Sequence, residues 1–270
     1  MNDNRSAFRV IVTRDTWTVG AALAALAAFA WAYLFWVAAQ MNAPSPAAMP
    51  DMIGMAAMME PAFTPWTLTH TVFVFAMWAV MMVGMMAPSV APTVLIYMQV
   101  ARHARTLGES FASACWFSSG YFLAWILFAL LATSVQYGLE SAALLSPMMA
   151  RTSGYFSGAI LIAVGAYQFS PLKNICLSQC RAPLSFVQRH GGFQSSARGS
   201  LGLGMLHGFY CVGCCWTLMA LLFVVGVMNV LWIAVLAILV LAEKMLPGGR
   251  YISACSGAAA ISTGAWMLAA

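Results

Sequence analysis

Long apolar runs almost empty of charge constrain this chain more than any other feature of its sequence. Trp17 to Ala39 contains no Asp, Glu, Lys or Arg, and neither does Leu201 to Val225. A helix needs roughly 20 mostly apolar residues to cross a bilayer. Charged residues are 7% of the chain and hydrophobic residues 63%, whereas a soluble domain carries about a quarter charged residues. The fold class that follows is all-α, a polytopic transmembrane helical bundle. The polar, basic segment 1–16 is read as cytoplasmic. The run after it reads as a retained first helix of a single transmembrane domain over 17–270, since it lacks the cleavage site of a signal peptide.

Seven spans are expected: about Trp17–Ala39, Trp66–Val100, Phe111–Val135, Ser153–Ser170, Leu201–Val225, Val230–Met245 and Tyr251–Ala269. Pro88 and Pro92 fall inside the second. Each removes a backbone hydrogen bond, so a kink or break is expected near Ala87–Pro92, with the freed Gly84 carbonyl facing protein or water. Gln136–Thr152 reads as a loop, and 171–200 as a longer polar joint. With the N-terminus inside, one side holds Arg5, Arg9, Arg14, Arg102, Arg105, Lys173, Arg181, Arg189, Arg198, Lys244 and Arg250. The other side holds Arg151 alone. Positive residues favour the cytoplasmic side, which predicts an N-terminus inside and a C-terminus outside. The net charge of +5 is therefore a topology signal and gives no reason to expect a nucleic-acid partner. The lipid bilayer is the first partner.

The fifth span carries the chemistry. His207, Cys211, Cys214 and Cys215 have offsets of 0, 4, 7 and 8, which place all four on one helical stripe about 100° wide. Thiolate and imidazole are ligands for copper(I) and zinc. Free cysteine is also a small hydrophobe that packs well. At 1.5 Å per residue His207 and Cys215 are separated by roughly 12 Å, so one straight helix cannot close all four around one ion. Ligands from another helix are needed, or a distortion permitted by Gly208 and Gly213, with His207 as a separate station or as a partner to Cys211.

Span two offers them. Met81 and Met85 form one row with Met77, and Met82 and Met86 form a second beside it. Thioether sulfur suits copper(I), although methionine is equally at home filling apolar gaps. The loop at 40–65, read as outer, adds Met41, Met49, Met52, Met55, Met58 and Met59 beside Asp51 and Glu60. It reads equally as a copper-gathering segment or as a lid on the bilayer. In the joint at 171–200, Cys176 and Cys180 face the same way if the segment is helical, with Lys173 and Arg181 alongside to favour thiolate. Glu243-Lys244 reads as a charged pair at the inner interface, a salt-bridged or snorkelling anchor. His70 stands near the outer end of span two, and Cys115 and Cys255 read as packing.

The run Trp78-Ala79-Val80-Met81-Met82-Val83-Gly84-Met85-Met86-Ala87-Pro88 resembles one signature of a bacterial family of metal-binding integral membrane proteins. Pro171-Leu172-Lys173 with Cys176, Cys180, Arg181 and Pro183 is similar to a second. His207-Gly208, Cys211, Gly213, Cys214, Cys215 and Trp216, followed by Glu243-Lys244 and Pro247-Gly248, resemble a third and a fourth. The family is a domain of unknown function with members labelled copper chaperones. The resemblance implies metal binding, copper above all, with no established reaction. The function expected is acquisition, delivery or transport of copper(I), with zinc as the second ion and a periplasmic or membrane protein receiving the metal. A membrane thiol–disulfide oxidoreductase using Cys211 and Cys214 is the competing reading, and an accessory subunit of a larger membrane complex is the third.

Overall fold

The computed structural model describes residues 14–42, 66–106, 112–142, 154–227 and 229–269. Segment 1–13 and nearly all of the methionine-rich loop, with its Asp51 and Glu60, lie outside the described residues. Every element among the described residues is a helix: α1 (Arg14–Asn42), α2 (Leu68–Thr106), α3 (Ala114–Ser141), α4 (Gly154–Gln168), α5 (Pro171–Arg181), α6 (Pro183–Arg189), α7 (Ala197–Ala220), α8 (Leu222–Val225), α9 (Val230–Met245) and α10 (Gly249–Ala269).

Five stretches are long and apolar enough to cross a membrane: Trp17–Gln40, Leu68–His103, Ala114–Ser141, Ala197–Val225 and Gly249–Ala269. Large apolar side chains cover their outer faces, including Phe29, Leu68, Leu131 and Trp266. That exterior suits lipid, and the chain is a helical membrane protein. A sixth crossing is made only if α4 and α5 count together, and they meet at a bend of 61°. The sixth expected span, α9, has 16 residues, giving about 24 Å of length at 1.5 Å per residue against a hydrocarbon core of about 30 Å.

Three local expectations are corrected. Of the kink or break expected near Ala87–Pro92, the break does not occur, since α2 runs through Pro88 and Pro92 over 39 residues. α3 continues to Ser141, and the segment read as a loop contributes buried Gln136 and Glu140 to the interior. The polar joint folds as well: the Ser170 side chain accepts from the Lys173 amide at 3.1 Å, and Pro171 opens α5. A serine cap followed by proline at the first helical position is a strong helix start. Here it also turns the chain inward.

α7 is the central element, packed against α3 along most of its length and touching α5, α4 and α9. The close approach to α3 depends on two glycines. A Cβ on Gly204 would overlap the Phe117 carbonyl, and one on Gly120 would overlap the Leu201 carbonyl. Small residues are how membrane helices reach such distances. α4 and α10 form a second tight pair, with Gly165 and Gly257 facing each other's backbone. Gly226, with φ of +96°, breaks the chain between α8 and α9.

Gly204→Ala is expected to destabilise the α3–α7 pair by about 1–3 kcal/mol through overpacking, lowering the melting temperature in detergent. Gly202→Ala, where nothing lies within 4 Å, leaves that temperature unchanged or raises it.

Candidate metal site

The core of the site is the Cys211 sulfur, 1% exposed on α7. Three other helices send polar groups toward it. The Lys244 ammonium of α9 lies 2.8 Å from Cys211 Sγ, and the Tyr121 hydroxyl of α3 lies 3.0 Å from it. Ser89 of α2 joins both, 3.2 Å from Lys244 Nζ and 3.3 Å from the Tyr121 hydroxyl. Met86 of α2 places its sulfur 3.9 Å from Lys244 Nζ. From α5, Cys180 is partly buried against the same core as Cys211 and Cys214.

The remaining thiols of the stripe stay close. Cys214 and Cys215 both donate to the Cys211 carbonyl, at 3.1 and 3.0 Å. Cys176 packs on the bare face of Gly213, where an added Cβ would stand 2.8 Å from its sulfur. Tyr167 of α4 donates to the Gly213 carbonyl at 2.6 Å and fixes α7 from that side. Three helices therefore contribute sulfur: Cys211, Cys214 and Cys215 from α7, Cys180 from α5 and Met86 from α2. Among the described residues no three histidine, cysteine or acidic side chains are arranged as a closed metal-binding group. The donors are gathered but unclosed, because two thiols are turned onto a backbone carbonyl.

The other candidates lie at a distance. Met81, Met82 and Met85 are buried farther along α2. His207 occupies an aromatic box, its ring centroid 4.8 Å from Phe186, 5.8 Å from Phe117 and 5.9 Å from Tyr121. Its Nδ1 is buried without a hydrogen-bond partner. His70 packs edge-on against Trp66 at the far end of α2, 4.9 Å between centroids.

Glu243-Lys244 is the main correction. Neither residue snorkels to the interface, since the two are 1% and 7% exposed, while the salt-bridged alternative holds for Glu243. Glu243 accepts from Lys173 at 2.7 Å in a buried ion pair, and Lys173 also donates to Gln168. Lys173 is thus engaged with a carboxylate instead of serving Cys176 and Cys180. Arg181 caps the turn after α9 by donating to the Leu246 and Pro247 carbonyls at 2.7 and 3.1 Å. A charged side chain at membrane depth is costly unless it is paired. That cost was the available signal for Lys173 and Lys244: charges bordering an apolar run, one residue from a carboxylate or one turn from thiols. Tyr121 and Ser89 carried no signal of their own.

The copper chaperone family model PpoB2 matches residues 75–267. The chain belongs to this copper chaperone family. The match runs from α2 into α10 and takes in every residue of the sulfur cluster. No curated protein matches the chain, and no solved structure matches it. Membership, together with five apolar helices of spanning length, makes this a membrane protein concerned with copper.

Lys173→Met leaves Glu243 buried and unpaired, a loss of about 3–5 kcal/mol for a broken buried pair. Thermal unfolding in detergent is expected to fall accordingly. The double replacement Lys173→Met with Glu243→Leu recovers most of that loss, because no orphaned charge remains.

Proposed function

We propose that this chaperone-family member binds copper(I) within the membrane through Cys211, Cys214 and Cys215 of α7, with Cys180 of α5 and Met86 of α2 closing the set, and passes it to a recipient protein. Convergence of sulfur from three helices on one buried point is the observation that carries the reading. Thiolate and thioether together select a soft monovalent ion over zinc. Turning the Cys214 and Cys215 thiols away from the Cys211 carbonyl, at 3.1 and 3.0 Å, brings them to a shared ion. Lys244, 2.8 Å from Cys211, balances the negative charge that a copper(I) dithiolate carries. An ion in this site is cargo, to be passed on to the recipient. Cys176 and His207 are adjacent stations on the way in or out, with Met81, Met82 and Met85 lining α2.

The burial of Cys211, Cys214 and Cys215 at 1%, 1% and 0% weighs against disulfide exchange with soluble clients. For orientation, Lys173 and Lys244 leave the charge count because they are buried in pairs. On a topology in which α4 with α5 and α9 each cross, nine of the eleven basic residues remain on the N-terminal side against Arg151 on the other. The reading is an N-terminus inside, a C-terminus outside and a bacterial inner membrane.

The test is anaerobic titration of the detergent-purified protein with copper(I) against a competing chelator. Wild type is expected to hold copper(I), and the Cys211→Ser, Cys214→Ser, Cys215→Ser triple variant to lose at least tenfold in affinity, the range seen when a metal's supporting groups are removed. Equal retention by both proteins would refute the site.

A further inference from the structure

Two guanidinium groups line one cavity, and no acid lines it with them. The cavity, about 210 Å³, lies where α5 meets the start of α10, between Asn174, Leu177, Ser178, Arg181 and Arg250. That is far more than the roughly 10–15 Å³ that holds one water. Arg181 donates through Nη2 to the Leu246 and Pro247 carbonyls at 2.7 and 3.1 Å. Its Nη1 lies on the bare face of Gly249, where an added Cβ would stand 2.8 Å away. Arg250 follows directly in the chain, is exposed, and makes no hydrogen bond or ion pair among the described residues. Glu243, the acid nearest to it in sequence, is buried and holds Lys173. Like charges gathered around one cavity repel, and an anion from outside the chain removes that cost.

The rim identifies the kind of anion. Arg250 is the second residue of the spanning stretch Gly249–Ala269, so the cavity lies at the end of a span, at the depth of lipid head groups. Large apolar side chains are exposed on the elements around it: Leu172 and Ile175 on α5, Leu246 after α9, and Tyr251, 80% exposed, on α10. Tyrosine at a span's end belongs to the interfacial belt. A free anion or an acidic protein segment makes no use of apolar surface beside a cationic cavity, whereas a phospholipid uses both. We infer that this cavity holds the phosphate of a phospholipid of net negative charge, with its acyl chains along Ile175, Leu246 and Tyr251.

The donors fit that group. A guanidinium fork matches phosphate oxygens two at a time. Arg250 offers its whole fork and Arg181 the second charge. Asn174 donates one amide hydrogen to the Ser170 carbonyl at 3.2 Å and has another to give. Basic pockets between spanning helices are where anionic head groups bind. A lipid seated here joins α5 to α10 across the turn that Arg181 caps. None of the cavity's residues belongs to the sulfur set, so the inference stands apart from the copper(I) reading.

Arg250→Gln removes one charge from a side chain that holds nothing else in place. The detergent-purified protein is titrated with phosphatidylglycerol, phosphatidylcholine, inorganic phosphate or a polyglutamate peptide. Bound ligand is counted by native mass spectrometry, and melting temperature is followed alongside. Wild type is expected to hold phosphatidylglycerol in preference to phosphatidylcholine and to melt higher with it. Arg250→Gln is expected to bind phosphatidylglycerol about fivefold more weakly, the share of one basic side chain at a membrane surface. Its lipid-free melting temperature equals or exceeds that of wild type, because a like charge has gone. Arg198→Gln, at an exposed arginine outside the cavity, leaves the affinity unchanged. Equal binding of the two lipids, or of phosphatidylglycerol by wild type and Arg250→Gln, overturns the site. A lower lipid-free melting temperature for Arg250→Gln assigns the residue to the scaffold and also overturns it. Inorganic phosphate matching phosphatidylglycerol in stabilisation replaces the lipid by a free anion, and polyglutamate binding without phosphatidylglycerol binding gives the cavity to an acidic protein. Either result overturns the lipid.

Discussion

Two ammonium groups are buried where α5, α7 and α9 meet, and each has taken its partner from another helix. Lys173 of α5 holds Glu243 of α9, and Lys244 of α9 lies against Cys211 of α7. In lipid, apolar side chains discriminate poorly between a neighbouring helix and an acyl chain. Buried charges discriminate strongly, because a charge without its partner is the costliest group in the interior. These pairs decide which face of each helix turns inward, and the glycine contacts between α3 and α7 then set how closely the faces approach.

The two pairs have different chemical fates. A carboxylate and an ammonium hydrogen-bonded at 2.7 Å form a permanent joint. A sulfur and an ammonium at 2.8 Å form a contact whose electrostatics would change if the sulfur took a metal, as proposed. One lysine is thus part of the frame and the other part of the site, although the carboxylate of the first pair and the lysine of the second are consecutive in the chain. Tyr121 and Ser89 extend the second contact to α3 and α2, so that a change at Cys211 is felt by four helices.

Much of this was legible before any coordinates. Apolar runs located the long helices, because burial in lipid leaves a signal in nearly every residue of a span. Helical periodicity put Cys211, Cys214 and Cys215 on one stripe, and the resemblance to a copper-linked family agrees with the match over residues 75–267. Partnership across helices was not legible. Lys173 and Lys244 were read as positive flanks, because a lysine near the end of an apolar run looks the same whether it reaches water or a buried acid. Gln136 and Glu140 were read as loop for the same reason, since polarity at a span's end reports a boundary unless a partner such as Trp78 or Trp66 is known. The inward turn of α5 depends on a serine cap and a proline, a local signal overshadowed by the polar composition around it.

Glu243 and Lys244 leave α9 about 100° apart, the angle between consecutive residues of an α-helix. One is held by α5 and the other lies against α7. Two contacts on neighbouring bearings, made to two different helices, allow the rod between them a single rotational setting. Slipping α9 by one residue would exchange acid for base and set lysine against lysine. The 16-residue α9 therefore acts as a key with one orientation, and it cannot be seated with both charges satisfied until α5 and α7 are already side by side.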